Sequence, residues 1–97
     1  MTTITGKLIS PIGTAINTAI KIQLQPGTQN DAANNQISSA EISITPVLGV
    51  WTVDLEPTDD MGCSDAHYIF TFPDGTRYFK DVPTAASKDF DELEDHY

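Results

Sequence analysis

The sequence predicts an all-β fold, a single antiparallel β-sandwich of about seven strands, and three observations carry that reading. Val, Ile and Thr make up 26 of the 97 residues, and their β-branched side chains fit a pleated strand better than a helix. Several short stretches alternate apolar and polar residues with a period of two, which places one face of a strand on a core. Proline and glycine fall between those stretches, where they end one strand and turn the chain toward the next. Leu, Ile, Val and Phe account for 23 residues, more than a disordered chain carries, and the length suits one core.

Residues 2–9 form the first expected strand, with Ile4, Gly6 and Leu8 on one side and Thr5 and Lys7 on the other. Pro11 and Gly13 then impose a turn. Residues 18–25 give the cleanest half-buried pattern, Ile20, Ile22 and Leu24 inward against Lys21, Gln23 and Gln25 outward. From Pro26 to Gln36 no large apolar residue occurs, and an exposed loop is expected. Ile42 and Ile44 mark a third strand and Trp51, Val53 and Leu55 a fourth, read together as a hairpin around Val47 to Gly49. A polar loop from Pro57 to Asp65 precedes Tyr68, Phe70 and Phe72, which share one phase. Asp74 and Gly75 then signal a tight hairpin turn into a strand from Arg77 to Val82. The expected core is Ile20, Ile22, Leu24, Ile42, Ile44, Trp51, Val53, Leu55, Phe70 and Phe72.

The chain thus divides into a β domain over residues 1–83, of immunoglobulin-like or transthyretin-like type, and an acidic C-terminal tail or helical turn over residues 84–97. Five acids stand between Asp89 and Asp95 and repel one another, so the tail adds no second core. Truncation after Ala86 is expected to spare the fold.

The net charge of −9 lies entirely in the second half, since Lys7 and Lys21 balance Asp31 and Glu41 in residues 1–50. Five basic residues against fourteen acids cannot displace the counterions of a nucleic-acid backbone, so neither nucleic acid nor an anionic membrane is an expected partner. Cys63 is the single cysteine, which excludes an internal disulfide and fits synthesis in a reducing cytosol. The first residues lack a basic start and apolar core, and no run approaches the ~18 apolar residues of a membrane span.

No reading of the chemistry-bearing residues points to an enzyme or a cofactor. Cys63 and His67 could pair as nucleophile and base, but no third orienting group stands out, and an outward His67 on a strand ladder is the simpler reading. Structural zinc takes four Cys or His ligands, and Cys63, His67 and His96 are the whole supply, so no metal is expected to be needed for folding. Asp59, Asp60 and Asp65, with Asp54 and Glu56 nearby, could offer oxygens to calcium, although a solvated acidic loop explains them more simply. The carboxylates of the tail have few apolar neighbours to perturb them into acid or base work. Tyr78 and Phe79 are neighbours on one strand and must point to opposite sides. One of them is therefore an expected interface anchor, and Phe90 and Leu93, three apart in the tail, are candidates for a partner's groove.

Gly6 to Gly13, leading into Ile20 to Leu24, resembles the opening of carboxypeptidase-regulatory-like (transthyretin-like) domains. Gly49 to Pro57, followed by Tyr68 to Gly75, is similar to small β-sandwich domains of tailed-bacteriophage structural proteins. The likeness spans residues 4–82 and departs from the pattern at Asp65, Ala66 and His67, where a Pro or Gly would be expected. It implies a non-enzymatic virion protein, an attachment module at a tail fibre or baseplate or a decoration protein on the capsid exterior. Such a protein is made in the host cytoplasm and docks in many symmetric copies on other virion proteins. A carbohydrate- or calcium-binding module is the alternative.

Overall fold

The computed structural model describes residues 1–96, and among them the chain forms nine strands, two 3-10 turns and no α-helix. The strands are β1 (Thr2–Lys7), β2 (Ile20–Gln25), β3 (Gln29–Asn30), β4 (Gln36–Ile37), β5 (Ile42–Ile44), β6 (Val50–Leu55), β7 (His67–Thr71), β8 (Arg77–Lys80) and β9 (Ser87–Asp89). The all-β expectation is met. The strands divide into a sheet ordered β6-β1-β9, a sheet ordered β5-β2-β7-β8 and a small β3-β4 ribbon.

Every strand pair is antiparallel except β1 with β9, which run parallel from Thr3 opposite Ser87 to Thr5 opposite Asp89. One core cluster draws on both of the larger sheets. It takes Ile4, Trp51, Val53 and Leu55 from the first sheet and Ile20, Ile22, Leu24, Tyr68 and Phe70 from the second. Met61, Ala66, Val82 and Leu93 complete it from the connecting segments and the C-terminal stretch. The phase read from alternation therefore holds for β2, β6 and β7. Tyr68 turns its hydroxyl to donate to Glu56 O at 2.8 Å, which satisfies its polar end, and burial raises its pKa.

Several expectations need correction. Ile42 is 39 % exposed, because β5 is a short edge strand whose first residue overhangs the core, and Ile44 and Phe72 are only partly buried. The tight turn at Val47 to Val50 forms, with Val47 N donating to Val50 O at 2.8 Å and Val50 N to Val47 O at 3.0 Å. It does not make a hairpin of its flanking strands: β5 pairs with β2 and β6 with β1, so the turn carries the chain from one sheet to the other. The stretch from Pro26 to Gln36 is not wholly loop, since β3 and β4 pair within it and Gly62 N binds Asn30 O at 3.2 Å.

The largest correction concerns the C-terminal stretch. Residues 87–89 form an edge strand beside β1, and Phe90–Glu92 make a 3-10 turn closed by a capping box between Asp89 and Glu92. Leu93 is 4 % exposed. Residues 93–96 then run beside β8, where Asp81 N donates to Glu94 O and His96 N to Phe79 O at 2.9 and 2.8 Å. Lys80 Nζ reaches Asp95 Oδ1 at 2.5 Å. Of the five acids in this stretch, Asp95 is thus paired with a lysine of the same chain. Tyr97 lies outside the described residues.

Candidate functional site

Two features could carry function: an apolar end, and a cluster of histidine and aspartate near the opposite end of β2.

The apolar end is built by two segments without a charged residue, Leu8 to Ile20 and Ile42 to Val53. Residues 8–16 fold back on themselves, with Ser10 N donating to Thr14 O and Ile16 N to Leu8 O at 2.8 and 3.0 Å. The Val47 to Val50 turn packs on the base of this arm, Leu8 N donating to Gly49 O at 2.7 Å and Gly49 N to Asn17 Oδ1 at 2.9 Å. Gly49 has φ near 82°, and a Cβ there would sit 2.8 Å from Leu8 O, so glycine is required. Between them the segments present Ile12 at 89 %, Leu48 at 77 % and Val47 at 73 % exposure, with Ile9 and Val50 half exposed beside them.

Leu48 adopts the left-handed conformation, φ 52°, which costs an ordinary side chain about 1–2 kcal/mol and suits Asn or Gly better. The tight turn needs a positive φ at both of its central residues, Leu48 and Gly49, but it does not need leucine: the apolar side chain stands in water where Asn or Gly would fill the turn with less strain. A shallow groove continues from this end, lined by Ile9, Ile16, Phe72, Tyr78 and Phe90.

The four anchors read from sequence are distributed unevenly. Tyr78 and Phe90 meet in this groove, ring centroids 5.7 Å apart, and Phe90 also packs edge-on against Trp51, Phe70 and Phe72. Phe79 lies on the other face of β8, stacked over His67 at 5.7 Å. Leu93 is core. Ile12, Val47 and Leu48 were not singled out from sequence, and the signal available was a run of apolar residues at turn positions.

The second feature lies on the outer face of the β5-β2-β7-β8 sheet. His67 pairs in register with Gln25 and points away from the core, yet it is only 9 % exposed. Phe79 covers one side and His96 the other, the imidazoles stacked with centroids 4.3 Å apart. His67 Nδ1 donates to Asp65 O at 2.7 Å, so its partner is a backbone carbonyl and not Cys63. His96 bridges two carboxylates, Nδ1 to Asp81 Oδ1 and Nε2 to Asp65 Oδ1, both at 2.8 Å. Asp59, which could have offered oxygens to a cation, is occupied: it accepts from Thr84 Oγ1 at 2.6 Å and Thr84 N at 2.9 Å.

Hydrogen bonding to Asp65, assisted by Asp81, raises the His96 pKa above its ordinary value, and His96 in turn lowers that of Asp65. A raised folded-state pKa means that the stabilisation is complete below the unfolded value of about 6.5 and is lost as pH rises through the folded value. The lowered Asp65 pKa sets the acid limit, because stability falls once that carboxylate is protonated. In chelator-treated buffer, the melting temperature of the wild type should exceed that of His96→Gln most near about pH 5.5 and least near about pH 9. A gap independent of pH would show that His96 contributes by packing alone.

No protein-family model matches the chain, and no curated protein is significantly similar to it in sequence.

Proposed function

We propose that the chain is a non-enzymatic structural module of a tailed-bacteriophage virion, an immunoglobulin-like or transthyretin-like β-sandwich. It docks in many copies on other virion proteins at a tail fibre or baseplate or on the capsid exterior. Leu48 is the observation that carries the docking part of this reading. A strained backbone that holds an apolar side chain in water, beside Val47 and Ile12, lowers the stability of the free protein and gains only when a partner covers it. The uncharged end supplies the contact while the acidic remainder keeps the free protein soluble. Repetition on a symmetric particle turns a small contact into firm attachment. Resemblance in the order and spacing of the Gly49 to Pro57 and Tyr68 to Gly75 stretches supports the virion assignment. The alternative of a calcium-binding module is weakened by the commitment of Asp59 to Thr84.

Leu48→Asn separates docking from folding. Asn accepts the left-handed conformation more readily, so this variant should melt at or slightly above the wild-type temperature. Its binding to purified phage particles that lack the protein should fall by at least ~10-fold if the lost apolar contact is worth about 1.4 kcal/mol. Ile12→Asn should act in the same direction. Wild-type particle binding by both variants would exclude this end as the docking surface, and no binding by the wild type to head or tail would overturn the virion reading.

A further inference from the structure

We propose that residues 94–96 form a pH-operated latch, closed on the outer edge of β8 while both ring nitrogens of His96 carry hydrogen and released as His96 deprotonates, with the rest of the fold left in place. The inference is independent of the virion reading.

Leu93 sets the boundary of the latch, because it is buried in the core and anchors the chain there. Beyond it the backbone is held to β8 by Asp81 N donating to Glu94 O at 2.9 Å and by His96 N donating to Phe79 O at 2.8 Å. Short edge segments of this kind open at far lower free energy than a core strand. Side chains therefore decide whether the segment stays. Asp95 faces Lys80, whose ammonium also reaches Leu93 O and the Phe90 ring, so Lys80 keeps partners when the latch opens.

His96 supplies the switch. Its Nδ1 lies 2.8 Å from Asp81 Oδ1 and its Nε2 2.8 Å from Asp65 Oδ1. An ionised carboxylate only accepts, so both contacts are hydrogen bonds only when the ring is an imidazolium. A neutral ring has one bare nitrogen, and its lone pair would face a carboxylate oxygen at that distance. One lost proton thus turns one of two attractions into a repulsion. Among the described residues no lysine or arginine pairs with Asp65 or Asp81.

One face of the His96 ring meets His67, stacked at 4.3 Å with the planes 12° apart. Imidazoles this close tolerate one charge better than two. His67 Nδ1 donates to the Asp65 carbonyl at 2.7 Å, a bond that the neutral ring can make, which leaves the charge to His96. Hydrogen bonding to Asp65, assisted by Asp81, raises the His96 pKa. The latch is therefore fully closed below the unfolded value of about 6.5 and opens as pH rises through the folded value. Opening bares the Phe79 carbonyl and the Asp81 amide and gives β8 an unpaired edge.

The test is amide hydrogen exchange of the full chain followed by nuclear magnetic resonance, each rate being divided by the intrinsic base-catalysed rate at that pH. The amides of Asp81 and His96 should be far less protected than that of Ile22, whose strand is paired on both sides. They should also ignore a low urea concentration that speeds exchange at Ile22, because opening the latch exposes little surface. Their protection should fall about tenfold between about pH 6 and about pH 9, the effect of losing one charge-assisted hydrogen bond. In His96→Gln it should be low at both pH values. Asp65→Asn should shrink the pH effect, and this variant should fold because Asp65 is largely solvent-facing. Asp91→Asn, outside the clasp, should leave the effect unchanged. Exchange of both amides in step with Ile22 would show that residues 94–96 leave only when the whole chain unfolds, and protection independent of pH would show that the proton on His96 does not hold them. Either result overturns the proposal.

Discussion

A chain ending at Ala86 should fail to fold cooperatively. Truncation there removes β9, the parallel partner of β1 at the edge of its sheet, and with it two residues that seal the core. Leu93 is buried, and loss of a buried leucine costs about 2–5 kcal/mol by itself. Phe90 packs on Trp51, Phe70 and Phe72 at centroid distances of 5.6, 5.0 and 5.4 Å, so its removal opens the aromatic cluster to water. Lys80, whose ammonium rests on Leu93 O, Asp95 and the Phe90 ring, loses all three contacts together. The sum is comparable with the whole stability of a domain of this size, about 5–15 kcal/mol. Thermal melting of residues 1–86 should show no sigmoidal transition, and Leu93→Ala in the full chain should lower the melting temperature while keeping one. A truncated chain that melts within a few degrees of the full one would show that the terminal stretch is dispensable.

Gly6→Ala should be far more damaging than a single methyl suggests, and Trp51 is the reason. Gly6 lies opposite Trp51 in the β1 and β6 register, and the indole crosses it so closely that a Cβ would sit 2.5 Å from Cε2 and Cζ2. The ring cannot yield, because it is 3 % exposed and wedged against Phe70, Phe72 and Phe90. The cost should reach or exceed the ~3 kcal/mol typical of overpacking. Trp51→Ala should cost about 3–5 kcal/mol. The two losses should not add: with the indole gone, alanine at position 6 meets empty space and gains the strand preference that glycine lacks. Urea unfolding of the four species of the double-mutant cycle measures this directly. Additive losses would mean that the indole does not rest on Gly6.

The strands that could be read in the sequence are those whose pattern is set by burial of one face. In β2 the alternation of Ile20, Ile22 and Leu24 with Lys21, Gln23 and Gln25 has one solution, and Asp74 with Gly75 fixes how β7 and β8 meet. What escaped was what period two does not encode. The alternation of Ile42 and Ile44 is the same whichever sheet receives it, and the turn that follows is tight in either case. Ser87, Lys88 and Asp89 contain no apolar residue, so β9 exists through backbone pairing at an edge. Phe90 and Leu93 were expected on a tail because their acidic neighbours suggested solvent, whereas those neighbours point outward and the two apolar side chains point in. Tyr78 and Phe79, neighbours on one strand, are both half exposed, but the exposed apolar end escaped because Ile12 and Leu48 sit on turns, where alternation gives no phase.

The parallel pairing of β1 with β9 has a mechanical consequence. Tension applied ahead of Thr2 and beyond Asp89 pulls these neighbours in opposite directions along their common axis. The pair is then loaded in shear, and its hydrogen bonds share the force instead of parting one after another, as they would in an antiparallel hairpin pulled open from its ends. Before that load reaches β9 from the C-terminal side, it must strip residues 93–96 from β8, including the contact between Lys80 and Asp95. The fold therefore resists stretching in two stages, a short peripheral yield followed by a stiff one.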